Sequence, residues 1–384
     1  MLPVYYIAHD IISSLGFNSE ENAQNLFANR GGIEKMTDSY FLPESFCASK
    51  VDDERLENSF NAIKNKSEFT RFEKLILCSV SNALAKTNID INSRETLIII
   101  SSTKGNIDLL EEKKKHRFES DRVNLWKSAV MVQHFFNSPN KPIIISHACI
   151  SGVAAQIVAK RHIESGQYKN VVVVGSDMVT PFVASGFQSF MALSPNPCKP
   201  FDKTRDGLSL GEGVATIILS SDKSKLESES VFTLLSGSIT NDANHISGPS
   251  RNGEGLYLAI QNTLKEDPDT KIDFINAHGT ATVYNDEMES IAFCRSGLTD
   301  VPVNSFKGYI GHTLGAAGVI ETVMSILSME NNLLVKSLGY DSCGITHPLN
   351  IITTNRHAEI NSCLKVASGF GGCNAAVLIQ KQPR

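Results

Sequence analysis

Residues 142–152 read PIIISHACISG, and this stretch decides how the first half of the chain folds. A run of three isoleucines leads almost directly into Cys149, and small residues flank the cysteine. A continuous apolar run of this kind is typical of a buried parallel strand. The small residues allow a sharp turn into a helix that we expect from 149 to about 164. The stretch therefore predicts a strand, a turn carrying a cysteine, and a helix.

The rest of the chain repeats this alternation of short strands and longer helices. We expect strands at 96–101, 171–175, 214–219, 271–276 and 301–305, and a terminal hairpin at 365–367 and 375–380. Further helices are expected at 285–294 and 315–329. Such alternation indicates an α/β fold with helices packed on sheets. The polar stretch SSDKSKLESES at 220–230 is the candidate boundary between two halves.

The composition is that of an ordinary globular protein. The 384 residues are 41% hydrophobic and 20% charged, with a net charge of -5, so no nucleic-acid partner is expected. The N-terminus lacks the pattern of a signal peptide, and the apolar runs are too short to span a bilayer. The eight scattered cysteines include no C-x-x-C pair. We expect a reduced, cytoplasmic protein.

Cys149 is the first candidate for chemistry, because it lies where a strand meets a helix. Free N–H groups and the helix macrodipole at a helix N-terminus favour a thiolate, so we expect a lowered pKa for this thiol. The nucleophile elbow of hydrolases uses the same geometry. On this motif alone, a buried and unreactive cysteine remains the more common alternative.

Three further motifs carry candidate side chains. HGTAT at 278–282 places His278 directly after a predicted strand, and KGYIGHTLGAAG at 307–318 places Lys307 and His312 between a strand and a helix. GFGGCN at 369–374 surrounds Phe370 with glycines, whose flexible backbone would let this ring move as a gate. Each motif alone also fits a plain structural role: a hydrogen-bonding histidine, a close-packed helix start and a core phenylalanine.

Taken in order, ACISG, HGTAT, KGYIGHTLGAAG and GFGGCN resemble the elongating β-ketoacyl-(acyl carrier protein) synthases of the thiolase superfamily. PFDKTRDG at 200–207, followed by GEG at 211–213, is a fifth match, and the resemblance covers essentially the whole chain. It implies a thiolase fold, in which two similar βαβαβαββ halves form a five-layered α-β-α-β-α sandwich. With the polar boundary, the halves are predicted as 1–228 and 229–384.

The resemblance implies a decarboxylative Claisen condensation. An acyl group would pass from carrier-protein phosphopantetheine to Cys149, and malonyl-(acyl carrier protein) would then lose carbon dioxide and attack the thioester. The product would be a fatty-acid, polyene or polyketide chain longer by two carbons. The implied partners are acyl carrier protein, acyl and malonyl thioesters, and a second subunit in a homodimer or a heterodimer. No cofactor or metal is implied.

The resemblance also implies a role for several side chains: Cys149 as nucleophile, His278 and His312 as neutral donors to the malonyl thioester oxygen, Lys307 and Glu321 as support for the second histidine, and Thr280 and Thr282 as pantetheine ligands. Backbone N–H groups of Cys149 and Phe370 would form the oxyanion hole of acyl transfer. Asp286 and Glu289 resemble acids behind the site, although a surface or helix N-terminal role fits them equally well.

Docking of the carrier protein calls for positive charge, because acyl carrier proteins are acidic while this chain is itself net negative. A local basic patch is therefore expected. We rank Lys203 and Arg205 first, since they belong to the PFDKTRDG motif. The other basic candidates are positions 64, 66 and 71 and the run 113–117.

Two departures leave the pathway and the chain length open. His147 and Ile150 stand where the family has small or hydroxyl residues, and 106–137 lacks the family's proline- and glycine-containing loop. Three other classes remain to be weighed. Chain-length-factor subunits typically lack the cysteine that Cys149 provides. Degradative thiolases carry a cysteine, and initiating synthases an asparagine, at the position of His312.

Overall fold

The computed structural model describes residues 2–63, 68–114, 117–226 and 230–382. The helices in these ranges are α1 Ser19–Phe27, α2 Asp53–Ala62, α3 Arg71–Leu84, α4 Leu125–Phe135, α5 Ser151–Glu164, α6 Pro181–Ser189, α7 Glu254–Glu266, α8 Val283–Arg295, α9 Lys307–Ile310 and α10 Ala317–Glu330. The strands are β1 Tyr5–Ser13, β2 Glu34–Met36, β3 Phe46–Ser49, β4 Thr96–Ser101, β5 Ile143–Ile145, β6 Asn170–Asp177, β7 Leu210–Gly211, β8 Gly213–Ser220, β9 Val231–Asn241, β10 Phe274–Asn276, β11 Val303–Asn304, β12 Leu333–Leu334, β13 Arg356–His357, β14 Ser362–Gly369 and β15 Cys373–Gln382.

One long sheet joins two copies of the same strand arrangement. Its order in the described residues is β11-β10-β14-β15-β9-β1-β8-β6-β4-β5. Each half contributes five strands to this sheet. If they are numbered along the chain within the half, their order from the centre of the sheet outward is first, fifth, fourth, second and third. Parallel and antiparallel neighbours also agree between the halves. The halves meet where Tyr5 and Tyr6 of β1 pair with Thr233 and Phe232 of β9.

The two halves of the sheet form two of five layers, and helices form the other three. The central helices α5 and α10 each contact strands of both halves: α5 contacts β6 and β15, and α10 contacts β8 and β14. Helix α3 covers the outer face of the first half, and α7 covers that of the second, with α8 beside it. The predicted α-β-α-β-α thiolase fold is therefore confirmed. The predicted division between 228 and 229 lies outside the described residues.

The central helices approach each other at glycines. A Cβ atom on Gly152 of α5 would lie 2.7 Å from the backbone nitrogen of Val319 on α10. Real Cβ atoms do not come this close to backbone, so a larger residue would force the helices apart. This contact holds the helix after Cys149 against the helix after His312.

Most elements lie where the sequence predicted them. Strand β4 has the predicted bounds, and α8 and α10 begin within two residues of theirs. Helix α5 begins at Ser151, two residues later than expected, because the chain is still turning at Ala148, where φ is +45°. No helix in the described ranges has the length and apolar character needed to cross a membrane.

Candidate active site

Cys149 lies on a tight turn between β5 and α5. The Ser151 hydroxyl donates to the Ala148 carbonyl at 2.6 Å and accepts from the His147 N–H at 2.7 Å. These bonds stabilise the left-handed backbone at Ala148, which non-glycine residues adopt rarely. The turn thereby presents Cys149 at the floor of a cavity, two residues ahead of the helix.

The pKa of Cys149 is governed by burial. Burial raises the pKa of this thiol to about 12; neighbouring Cys373 adds to the rise, while Lys307 and a backbone hydrogen bond from Phe370 oppose it. The sequence-based prediction of a lowered pKa is therefore wrong for this state, since removal from water outweighs the helix N-terminus. Cys149 is therefore a thiol in this state, and any attack by its sulfur requires loss of this proton.

Three reactive side chains converge at the floor of this cavity. The sulfur of Cys149 and ring nitrogens of His278 and His312 lie within 4.8 Å of one another. The centres of the imidazole rings are 5.0 Å apart, and the rings are nearly perpendicular. Each side chain comes from a different segment: the β5–α5 turn, the loop after β10, and the residues after α9. The structure thus brings together the three residues that separate motifs pointed to.

Lys307 sets the tautomer of His278. Its ammonium group donates to the His278 carbonyl at 2.5 Å and to Glu321 Oε1 at 2.5 Å, and it lies 3.3 Å from His278 Nδ1. An ammonium group can only donate, so Nδ1 accepts and the ring proton is on Nε2. The resemblance implied that Lys307 supports the second histidine. Its hydrogen bonds are instead with the first, while its pairing with Glu321 is as expected.

His312 has a ring without a protein partner. Neither of its ring nitrogens has a hydrogen-bond partner among the described residues, although the side chain is almost fully buried. Its backbone is anchored, because its N–H donates to the Ser209 carbonyl at 2.8 Å and its carbonyl accepts from Gly211 at 2.9 Å. A buried imidazole without a partner is unfavourable, so this ring is suited to binding a ligand in the cavity.

Both imidazoles are neutral at physiological pH. Burial lowers the pKa of His278 and of His312 well below the usual range, and the positive charge of Lys307 lowers both further. Neutral rings can each offer an N–H to a developing negative charge without first losing or gaining a proton. This is the protonation state that the implied decarboxylation requires.

Two buried acids shape the loop that carries His278. Glu289 accepts from the backbone N–H groups of His278 and Gly279, each at 2.7 Å, and Asp286 accepts from that of Thr280 at 3.1 Å. Burial raises the pKa of Glu289 to about 7 and that of Asp286 to about 6. Both side chains are fully buried, so the alternative of a surface role is excluded.

Lys365 belongs to the same buried cluster, and the sequence analysis missed it. It was assigned only to a hairpin strand, yet its ammonium group contacts Glu321 Oε2 and donates to the Val366 carbonyl at 2.8 Å. Burial lowers the pKa of this lysine, and Glu321 opposes the change. A lysine within the apolar strand CLKVA was the available signal, because lysine is almost never fully buried unless it is paired.

The cavity above Cys149 has a volume of about 420 Å³ and opens to the surface. Thr280 and Thr282 line it, with their hydroxyl oxygens 2.9 Å apart. Phe370 stands on the other side, stacked on Phe187 with ring centres 5.8 Å apart. Because Phe370 lines the cavity and is 36% exposed, it is not a core residue. Its movement as a gate stays a prediction.

Backbone donors surround the thiol. A Cβ atom on Gly369 would lie 3.0 Å from the Cys149 nitrogen and 2.9 Å from the Cys373 sulfur, so only glycine fits between them. The next residue, Phe370, makes a backbone hydrogen bond to the thiol. The backbone nitrogens of Cys149 and Phe370 are therefore close to the same sulfur, as an oxyanion hole there would require.

Cys149, His278 and His312 also form the one group in the described ranges whose spacing could suit a metal ion. Zinc accepts cysteine and histidine ligands, but it binds the thiolate. Here the ammonium group of Lys307 lies 3.3 Å from His278 Nδ1 and occupies the position from which a hydrogen-bond acceptor usually orients a zinc-bound histidine. A permanent positive charge at this distance repels a cation, so the group fits the binding of a developing anion better.

The two docking candidates differ in exposure. Lys203 is exposed, whereas the side chain of Arg205 is 5% exposed and lies 3.7 Å from Asp286. The Arg205 guanidinium also donates to the Gly344 carbonyl at 2.5 Å. These contacts stabilise the PFDKTRDG loop. The prediction that Arg205 belongs to the docking surface is therefore corrected. Candidate positions 64, 66, 115 and 116 lie outside the described residues.

Comparisons with known proteins agree over the length of the chain. Residues 2–225 match the model of the β-ketoacyl synthase N-terminal domain, and residues 232–341 match that of the C-terminal domain. The 3-oxoacyl-[acyl-carrier-protein] synthase 2 of Rhizobium meliloti is 28% identical over 97% of each chain. A ketosynthase from Xenorhabdus doucetiae, solved with its chain length factor, has a TM-score of 0.84 and 25% identity, covering 99% of this chain and 98% of its own. The ishigamide ketosynthase/chain length factor structure has a TM-score of 0.88 at 23% identity, covering 98% of each chain.

Proposed function

The chain belongs to the β-ketoacyl synthase family, and on this basis we propose that it condenses an acyl thioester with malonyl-(acyl carrier protein). The observation that carries the proposal is the convergence of Cys149, His278 and His312 within 4.8 Å at the floor of an open cavity. The product is a 3-oxoacyl chain with two more carbons, of the fatty-acid, polyene or polyketide kind. The substrates are carried on phosphopantetheine, and the proposed steps use no metal or redox cofactor.

Acyl transfer is the first step. The Cys149 sulfur bonds to the thioester carbonyl carbon, the pantetheine sulfur leaves, and the proton of the thiol passes to it. Negative charge develops on the carbonyl oxygen during the attack, and the backbone N–H groups of Cys149 and Phe370 stabilise it. A thiol with a pKa of about 12 is compatible with this step, because the thiol gives its proton to the departing pantetheine sulfur as the acyl group is transferred, and no free thiolate has to form beforehand.

Decarboxylation and condensation follow. As the malonyl group loses carbon dioxide, the electron pair of the broken bond moves toward the thioester oxygen, where His278 Nε2–H and the His312 ring donate hydrogen bonds. The enolate carbon then attacks the thioester on Cys149, whose sulfur leaves and takes up a proton. Preorganised donors on buried side chains are worth far more than the same donors in solution. Thr280 and Thr282 bind the pantetheine arm on its way in.

Intact-mass measurement with a panel of acyl-(acyl carrier proteins) tests the proposal. We expect one acyl adduct on the wild-type protein and none on Cys149→Ala. Cys294→Ser and Cys343→Ser are matched controls, because these thiols are exposed and open to adventitious acylation. An adduct on another cysteine, with Cys149→Ala still condensing at the wild-type rate, would overturn the assignment. The acyl groups retained would also define the chain-length preference.

Lys203 is the residue that we propose for docking the acidic carrier protein. It is exposed within the PFDKTRDG loop that Arg205 stabilises, and charges at the rim of an interface mainly affect capture of a partner. We expect Lys203→Glu to raise the apparent KM for acyl-(acyl carrier protein) and to weaken its salt dependence, with little effect on a small pantetheine thioester. Lys271→Glu is the control, because Lys271 is also an exposed lysine. It precedes β10, whereas His278 of the candidate site follows the opposite end of that strand. Equal losses with both substrates would contradict a docking role.

Assembly with a second subunit is also proposed, either a copy of this chain or a related one. The ketosynthase from Xenorhabdus doucetiae was solved with a chain length factor, which makes a heterodimer a specific alternative. The presence of Cys149 favours the catalytic rather than the chain-length-factor role for this chain. Light scattering and activity of the purified chain distinguish the cases, since a heterodimeric enzyme would be inactive alone. Cell fractionation would test the proposed cytoplasmic location.

A further inference from the structure

The carboxylate of Glu321 is shared by two buried lysines. Lys307 donates to Oε1 at 2.5 Å, and Lys365 contacts Oε2. Each of the three side chains is no more than 1% exposed. Lys307 sets the tautomer of His278, which the proposed mechanism uses, whereas Lys365 has no such task. Because a buried ammonium group is costly unless it is well paired, the presence of a second one here requires a reason.

The hydrogen bonds show what Lys365 holds. The three N–H groups of Lys307 are matched by the His278 carbonyl, His278 Nδ1 and Glu321 Oε1. The orientation of Lys307 therefore depends on where the Glu321 carboxylate lies. Glu321 is on α10, and Lys365 binds its other oxygen from β14. Without Lys365, that buried oxygen would lose its ion pair, and the carboxylate would be free to rotate or to take a proton.

Charge gives Lys365 a second effect. Two ammonium groups around one carboxylate leave an excess positive charge behind the histidines. The titratable groups behind the two histidines include Lys307 on α9, Lys365 on β14, Glu321 on α10, Asp286 and Glu289 on α8, and Cys149 ahead of α5, while Asp206 and His245 line the cavity in front of them. Asp286 and Glu289 accept from backbone N–H groups of the catalytic loop and carry negative charge when they are ionised. Lys365, like Lys307, lowers the pKa of both histidines, so its own charge favours neutral imidazoles and a developing enolate oxygen.

We propose that Lys365 is a positioning residue of this site: it fixes the Glu321 carboxylate so that Lys307 stays against His278, and it supplies the excess positive charge beneath the oxyanion. The inference rests on the proposed function, because the oxyanion belongs to the decarboxylation step. Lys365 does not touch the cavity or the substrate, so its effect reaches the reaction only through Glu321, Lys307 and the local charge.

Two substitutions and a matched control separate these effects. Lys365→Met removes both the donor and the charge, whereas Lys365→Gln keeps a donor for Glu321 Oε2 but no charge. Lys160→Met is the control, since Lys160 is another nearly buried lysine, paired with Glu164 on α5 outside the site. Acylation of Cys149 and decarboxylation of malonyl-(acyl carrier protein) are measured separately, each as a function of pH.

We expect Lys365→Met to slow decarboxylation about tenfold or more while acylation of Cys149 stays near the wild-type rate. Removing the positive charge lets the imidazoles take up a proton more readily, so the acid limb that their protonation causes, well below pH 6.5 in the wild type, should move to higher pH. A tenfold change in the protonation equilibrium of an imidazole would move this limb by about one pH unit. Lys365→Gln should recover part of the rate but keep the shifted limb, and Lys160→Met should match the wild type in both steps.

Wild-type decarboxylation with an unshifted acid limb in Lys365→Met would overturn the inference, as would equal losses in both steps in a protein that melts like the wild type. If Lys365→Met fails to fold, Lys365→Gln decides, because an unshifted limb there contradicts the charge effect. Failure of the proposed function is distinguishable. In that case the wild-type protein itself would not decarboxylate malonyl-(acyl carrier protein), whatever residue stands at 365.

Discussion

Glu289→Gln tests whether a buried acid positions the catalytic loop. Glu289 Oε1 accepts from the His278 N–H and Oε2 from the Gly279 N–H, each at 2.7 Å. A glutamine has the same shape, but only one of its two terminal atoms can accept. Its NH₂ group would therefore face a backbone donor that cannot turn away. We expect the variant to fold with its catalytic loop displaced at His278.

The size of the effect follows from these two bonds. One backbone N–H left without an acceptor in a buried site costs about 1–3 kcal/mol, and loss of the charge from the remaining bond adds about 1 kcal/mol. The loop can relieve this cost of roughly 2–4 kcal/mol by moving His278 away. Complete removal of such a donor slows a reaction about a hundred- to a thousandfold, so displacement should slow decarboxylation about ten- to a hundredfold. Acylation of Cys149 should change little.

The effect should also depend on pH. Burial raises the pKa of Glu289 to about 7, so the wild-type acid is increasingly protonated below neutral pH and then resembles glutamine. The rate difference between wild type and variant should therefore be small at pH 6 and grow toward pH 8. Single-turnover acylation and malonyl decarboxylation, measured at both pH values, provide the assay.

Glu287→Gln is the matched control, because Glu287 lies on the same helix and accepts from the Thr346 N–H at 3.0 Å in an exposed position. It should behave like the wild type. Decarboxylation at the wild-type rate in Glu289→Gln would refute the reasoning. So would an equal loss of acylation and decarboxylation, which would indicate general damage to the cavity instead of a shift of His278.

Three further predictions concern the histidines and the central helices. His312→Ala should slow malonyl decarboxylation about a hundred- to a thousandfold and leave acylation of Cys149 unchanged, because the His312 ring donates a hydrogen bond to the enolate oxygen. Loss of acylation with normal decarboxylation would reverse this role. Since burial lowers the pKa of His278 and His312, their protonation should slow the reaction only well below pH 6.5, at lower pH than the loss caused by protonation of Glu289, and an acid limb centred above 6.5 that persists in Glu289→Gln would contradict neutral, depressed imidazoles. Gly152→Ala should lower the melting temperature, since its Cβ would lie 2.9 Å from the Gly318 Cα. Gly186→Ala is the control and should not lower it, because a Cβ there meets open space. Equal melting curves for the two variants would refute the close approach of the helices.

The sequence alone determined the class of fold and the reactive side chains. Strands such as β4 and β6 are continuous apolar runs, and a run of this kind forms a buried strand in almost any context. Cys149, His278 and His312 each lie in a short motif directly after a predicted strand. Each motif alone also fits a structural role, so these residues were identified by the joint resemblance of the motifs, in this order, to one family.

Tertiary structure decided the electrostatics. A helix N-terminus is readable from the sequence, but the burial that raises the pKa of Cys149 is the combined effect of segments far apart in the chain. Arg205 illustrates the same limit, because it looks like a surface cation in its motif and is buried only by the packing of its loop against Asp286 and Gly344.

Only the folded chain revealed the partners within the buried cluster. Lys307 and His278 are 29 positions apart, and Lys365 and Glu321 are 44 apart, so no local pattern joins them. Their pairing depends on the register of β14 within the sheet and on the approach of α10 at Gly152. Such contacts are set by packing over the whole molecule, which is why the sequence indicated Lys307 and Glu321 but neither the contact of Lys307 with His278 nor the second lysine beside it.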